Sequence, residues 1–284
     1  MNDNQKLVDR YLLLCQAKGL TEETVRSFGI DLKVFLDFIG DKPLSEVDHF
    51  TCEDFIMYCQ TERDNGDKAI ARKFTTLNGF FKTAIKKEYL DIKNPLDKLD
   101  KPKVRKTQRE HLTKEEIDKI FNYLESTGKI RDLAIFSLLF SSGIRLSELH
   151  RLNIRDVDFE NKRLNVMGKG MKPRISIFDD YAKANILKYL ESREDNFEFL
   201  FVSRENKRLS KKSIQNLIKL RVREAGIDKN MSTHNIRHSC AMYHLKQGVP
   251  LNIIQKILGH ENIGTTQIYA HNTMDDVEEY LKNN

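Results

Sequence analysis

Apolar side chains in the first ninety positions recur every three or four residues, and that period restricts the segment to amphipathic helices packed on one another. Leu7, Tyr11 and Leu14 make one stripe. Val25, Phe28, Leu32, Phe35 and Ile39 make a second, and Ile70, Phe74, Leu77, Phe81 and Ile85 a third. Between these two, Thr51-Cys52-Glu53-Asp54 has the form of a helix start, a capping hydroxyl with an acid three residues on. Residues 1–90 are therefore expected to fold as a four-helix unit. Only 13 glycines and 5 prolines interrupt 284 residues, which leaves few turns and favours helix throughout.

The pattern breaks at residues 91–110. Asn94-Pro95 and Lys101-Pro102 stop helices, and seven Lys or Arg stand against four acids, a net charge of +3. The segment reads either as a solvated linker or as a basic strap crossing a phosphate backbone. It is the expected boundary between two domains, in keeping with the chain's length. Helical signals resume at Thr113-Lys114-Glu115-Glu116, a capping box, and continue through Leu133, Phe136, Leu139 and Phe140. Beyond Leu152 the period changes to two. Leu164 and Val166 alternate, Gly168-Lys169-Gly170-Met171 supplies a turn, and Ile175 and Ile177 alternate again. With residues 156–161 ahead of them, these predict a small antiparallel sheet. Helices return at Ile214, Leu217, Ile218 and Val222, and at Ile253, Ile254, Ile257 and Leu258. The expected fold class is mainly α with a small antiparallel β-sheet, in two domains.

Several classes are excluded by what the chain lacks. The longest nearly apolar run, Leu133 to Phe140, has eight residues, against about 20 for a membrane span. The polar start Met1-Asn2-Asp3-Asn4-Gln5 has no signal-peptide core, so a cytoplasmic protein is expected. Cys15, Cys52, Cys59 and Cys240 form no C-x-x-C pair and read as buried free thiols. A formal charge of +6 permits a nucleic-acid partner without requiring one.

Four places could carry chemistry. Arg145 follows the apolar helix, and Glu148 three residues on could neutralise and hold it, although an ordinary surface pair has the same spacing. Lys169 stands between two glycines, either a solvated turn residue or an ammonium free to swing over a ligand. His234 and Arg237 share a face near a helix start after Ser232-Thr233, either an ordinary capped basic helix start or a place where a guanidinium fork and an imidazole suit a phosphate. No metal site is expected there, because Arg237 would repel a cation. His260 follows the helix breaker Gly259, and Tyr269 lies nine residues further on.

The order Arg145, Lys169, His234-x-x-Arg237, His260 23 residues after Arg237, and Tyr269 nine further resembles the tyrosine recombinase (phage integrase) family. The resemblance covers the whole chain and is most specific from His234 to Tyr269. It implies a helical, SAM-like core-binding domain over residues 1–90, a basic linker over 91–110 and a catalytic domain over 111–269. Residues 270–284 would be a tail that docks on a neighbouring protomer. The two domains would close on duplex DNA as a C-shaped clamp, with Lys103, Arg105 and Lys106 of the linker on its phosphates. By resemblance, Tyr269 forms a covalent 3′-phosphotyrosine, Arg145 and Arg237 neutralise the phosphate, and His260 donates to it. His234 assists deprotonation of Tyr269, Lys169 protonates the 5′ oxygen and Glu148 supports Arg145. No cofactor and no metal are implied. The partners would be double-stranded DNA with a specific core site and three further copies of the chain, a homotetramer passing through a Holliday junction.

Residues 238–242, His-Ser-Cys-Ala-Met, depart from the commoner Xer wording. The first helical stripe begins within a few residues of Met1, which leaves no room for an arm-binding domain. The second feature suits a simple two-domain recombinase acting on a short core site, and the departure from Xer wording turns the reading toward a mobile-element resolvase or integrase, with Xer-type chromosome or plasmid dimer resolution as the alternative. A non-cleaving DNA-binding protein and a type IB topoisomerase are the rival classes.

Overall fold

Residues 3–104, 110–168 and 172–259 are described by a computed structural model. The chain divides into two compact units, Met1–Thr107 and Gln108–Asn284.

Among the described residues the first unit holds four α-helices: α1 (Asp3–Ala17), α2 (Glu22–Ile39), α3 (His49–Thr61) and α4 (Asp67–Lys86). Thr21 caps α2 by accepting the Thr24 N–H, and Glu22 and Glu23 meet the positive end of the helix dipole. The core joins Val25, Leu32 and Phe35 to Phe74, Leu77 and Phe81, with Phe35 edge-on to Phe55 at 5.0 Å between ring centroids. Two readings shift. The buried stripe of α1 is Val8, Tyr11 and Cys15, rotated from Leu7 and Leu14, which are only partly covered. The cap of α3 is Asp48, whose carboxylate accepts both the N–H and the hydroxyl of Thr51 at 2.9 and 2.7 Å, so the helix starts three residues before the expected hydroxyl. The core also continues past residue 90. Leu90 and Leu96 are buried in it, and Ile92 and Leu99 pack against it.

The second unit is built on α6 (Ile130–Ser142), which is buried on nearly every side. Around it stand α5 (Lys114–Ser126), α8 (Asp180–Glu191), α9 (Lys211–Glu224) and α10 (Thr233–Lys246). The capping box at Thr113 and Glu116 starts α5 as the sequence suggests. Asp132 of α6 is buried and takes Arg221 of α9 at 2.7 Å, an ion pair that fixes those two helices together. The short α7 (Leu146–Arg151) and α11 (Leu251–Leu258) complete the α-helices among the described residues.

The sheet has three antiparallel strands in the order β1 (Val157–Asp158), β2 (Arg163–Met167), β3 (Pro173–Ile177). Leu164 pairs with Ser176 and Val166 with Arg174, so these four share the covered face. Ile175 and Ile177, the apolar members of the alternation, face outward and are 56% and 50% exposed, whereas Ser176 is 2% exposed. An exposed isoleucine forgoes about 1.5–3 kcal/mol of burial, so β3 gives its inner face to polar side chains against its own hydrophobicity. Ser176 donates to the carbonyl of Ser142 at 3.3 Å and seats the strand on the end of α6.

Candidate active site

The end of α6 sets the geometry. Gly143 closes the helix in the left-handed region, with φ +57° and its N–H on the Leu139 carbonyl. A Cβ there would stand 2.6 Å from Leu258 Cδ2, so only glycine lets the end of α11 approach this closely. Two residues later Arg145 caps α7 in an extended conformation. Arg208 keeps α7 in place from the far side, donating to the carbonyls of His150 and Leu152 at 3.1 Å each.

Glu148, on the first turn of α7, has no exposed side-chain surface. Its Oε2 accepts the Arg145 backbone N–H at 2.7 Å and its Oε1 accepts Arg145 Nη1 at 3.1 Å. The same two oxygens accept Arg174 Nη2 at 2.8 Å and Nε at 3.2 Å. Burial works to raise the Glu148 carboxyl. The hydrogen bonds from Arg174 and the Arg145 backbone, with the charge of both arginines, outweigh it and hold the carboxyl below its ordinary range.

Arg237 lies on α10, 6% exposed, and donates Nη1 to the Gly143 carbonyl and Nη2 to the Leu258 carbonyl at 2.6 Å. Arg145 Nη2 reaches the next carbonyl, that of Gly259, at 3.3 Å. Adjacent peptide groups at the end of α11 thus draw the two arginines together, one residue before His260. Their charges complement the negative ends of α6 and α11. Arg145 keeps 30% of its side chain exposed. His234 lies one turn before Arg237 with its side chain exposed. Cys240, next along the same helix face, is buried, and burial pushes its thiol up to about 12, so it packs and is no nucleophile.

The structure therefore brings Arg145, Glu148 and Arg237 to one place. Lys169, His260 and Tyr269 lie outside the described residues, as do Arg105 and Lys106, while Lys103 is exposed. Among the described residues no group of three His, Cys, Asp or Glu side chains could hold a metal ion, and no helix is long and apolar enough to cross a membrane. Sequence reasoning missed Arg174 and Gly143. Arg174 gave no signal in the sequence, because its register with Val166 appears only in the paired strands.

Residues 110–276 match the phage integrase family, and residues 6–104 match the phage integrase SAM-like domain. The chain belongs to the phage integrase family. Within it, the chain is similar to tyrosine recombinase XerC of Oceanobacillus iheyensis, 30% identical over 99% of this chain and 97% of that protein. It is also similar to tyrosine recombinase XerD of Staphylococcus aureus, 32% identical over 94% of each. In fold it resembles the Tn1549 transposon integrase in complex with circular intermediate DNA, with a TM-score of 0.78 at 19% identity over 97% of this chain and 98% of that one.

Proposed function

We propose that this member of the family recombines DNA at a specific core site by strand cleavage through Tyr269. The observation that carries the reading is the convergence of Arg145 and Arg237 on adjacent carbonyls just before His260. Two guanidiniums so held can neutralise the non-bridging oxygens of a phosphodiester and the charge added in its pentavalent transition state. Tyr269 gives its phenolic proton to a base, His234 in this reading, and its oxygen attacks phosphorus. The bond to the 5′ oxygen breaks and Lys169 supplies that oxygen's proton, with His260 donating to the phosphate. The 5′ hydroxyl of a second strand then reverses the step and frees Tyr269. The phosphodiester energy is kept in the phosphotyrosine, so no ATP is consumed.

The helical first unit would grip the core site together with the second as a clamp, with Lys103, Arg105 and Lys106 on the backbone between them. Four protomers would act on two duplexes, each tail from Ala270 to Asn284 docked on a neighbour. A related structure of lambda integrase is a tetramer bound to a Holliday junction, at 18% identity and a TM-score of 0.78. Integration or resolution of a mobile element is the main setting. The full-length likeness to XerC and XerD favours dimer resolution as the second. Conversion of a plasmid dimer with direct core sites to monomers, with no transposon end present, would select the second.

The test uses a nicked duplex carrying the site that the wild-type protein selects from random DNA. Wild type should become covalently attached to the cut strand, while Tyr269→Phe should bind equally and form no adduct. An adduct in the Phe variant would remove Tyr269 from the mechanism.

A further inference from the structure

Arg174 has no role in the chemistry above, yet the fold is arranged around it. Strand β3 turns Ile175 and Ile177 outward and places Arg174 and Ser176 on the covered face. The guanidinium then touches both groups that fix Arg145. It donates Nε and Nη2 to the two oxygens of Glu148, so each oxygen receives one bond from Arg145 and one from Arg174. Its other face lies on Gly259, whose carbonyl accepts Arg145. A Cβ at Gly259 would stand 2.6 to 2.8 Å from Arg174 Nη1, Cζ and Nε. Arg174 Nη1 is buried there with no hydrogen-bond partner among the described residues. A buried donor left unpaired is costly, so this contact of Arg174 with Gly259 is not explained by stability alone.

The charge balance has the same direction. Arg145 with Glu148 alone is a neutral pair. With Arg174 the trio carries one net positive charge, so Arg145 keeps its attraction for an anion although its carboxylate is fully engaged.

We infer that Arg174 is a positioning residue for strand cleavage, holding Glu148 and the Gly259 turn in the arrangement from which Arg145 reaches the scissile phosphate. The inference rests on the reading of Arg145 as a phosphate clamp. It assigns Arg174 no contact with DNA.

The test compares single-turnover cleavage of the selected nicked duplex carrying either the ordinary scissile phosphate or a methylphosphonate there. The methylphosphonate lacks one charged oxygen and so needs one cationic clamp fewer. Arg174→Ala should cut the ordinary phosphate about a hundredfold more slowly, the effect of misplacing a group near the reacting centre by about 1 Å. It should bind the duplex as wild type does. On the methylphosphonate its defect should shrink, as that of Arg145→Ala does, and the double variant should be no slower than Arg145→Ala alone. Arg174→Lys retains the charge and one bond and should show the same contrast with a smaller loss. It carries the test if Arg174→Ala does not fold. Equal slowing on both substrates, full additivity with Arg145→Ala, or an undiminished rate would each overturn the inference. Normal cleavage of the ordinary phosphate by Arg145→Ala would overturn the clamp reading itself, and the inference with it.

Discussion

Glu148→Gln tests the centre of the site with a change of one atom. The carboxylate has no exposed side-chain surface and accepts four N–H groups from two arginines. The amide can accept on one atom only and turns a donor toward the others, so about half of these bonds are lost and two guanidiniums face each other without an anion. Breaking a buried ion pair from one side costs about 3–5 kcal/mol. Arg145 and Arg174 keep 30% and 16% of their side chains exposed, so water recovers part of the loss. An expected cost of about 2–3 kcal/mol remains. At roughly 2–4 °C per kcal/mol for a unit of this size, the melting temperature should fall by about 4–12 °C. The pH dependence gives a second readout. The folded state holds the Glu148 carboxyl below its ordinary value of 4.5, with burial opposing and the arginines prevailing. Its contribution is therefore fully present above that pH and is lost as pH falls through the lowered folded value. Thermal unfolding followed across pH should show a gap between wild type and Glu148→Gln that is constant above 4.5 and closes below it. Equal melting temperatures at neutral pH, or a gap that acid does not narrow, would refute the reasoning.

Gly143→Ala and Gly128→Ala share the backbone cost of a left-handed residue, about 1–2 kcal/mol, since their φ values are +57° and +63°. Only at Gly143 does the added methyl meet a side chain, Leu258, so only Gly143→Ala should also lose cleavage activity, measured by covalent trapping. Lys169→Ala should be slow on ordinary DNA and largely restored on a duplex with sulfur as the 5′ bridging atom, which leaves without a proton; equal defects on both would end its role as acid. Replacing Lys103, Arg105 and Lys106 with alanine should weaken binding to all sequences alike. It should reduce the salt slope of log K by about 0.9 for each phosphate no longer neutralised, and an unchanged slope would make the linker a tether.

Long helices were legible where one apolar stripe dominated, as with Val25, Leu32 and Phe35 or Ile214, Leu217 and Ile218. In α1 the run Leu12-Leu13-Leu14 beside Val8 and Tyr11 offers several overlapping stripes, and packing rather than pattern chose among them. Helix α8 gave no signal because its buried face includes Ala182 and Asn185, and Asn185 donates to Ser137 at 3.0 Å. The pairing of Arg145 with Glu148 was readable from an offset of three. Arg174 was not. A strand with two isoleucines at alternate positions states which residues share a face, and says nothing about which face the rest of the fold covers.

Helix α11 is eight residues long and packs through a small cluster of its own, Ala241, Met242, Ile254 and Leu258, separate from the main core. Its last carbonyls are the ones that Arg237 and Arg145 hold. Elements anchored by so few side chains open at free energies below that of the whole domain. When α11 lifts away, Arg237 loses the Leu258 carbonyl and Arg145 the Gly259 carbonyl, while the Gly143 carbonyl still holds the one and Glu148 the other. In the proposed role of these arginines as a phosphate clamp, their alignment has an equilibrium of its own, and every change of about 1.4 kcal/mol in α11 docking alters the opened fraction tenfold. Hydrogen exchange at the amides of Ile254 to Leu258 would measure that opened fraction.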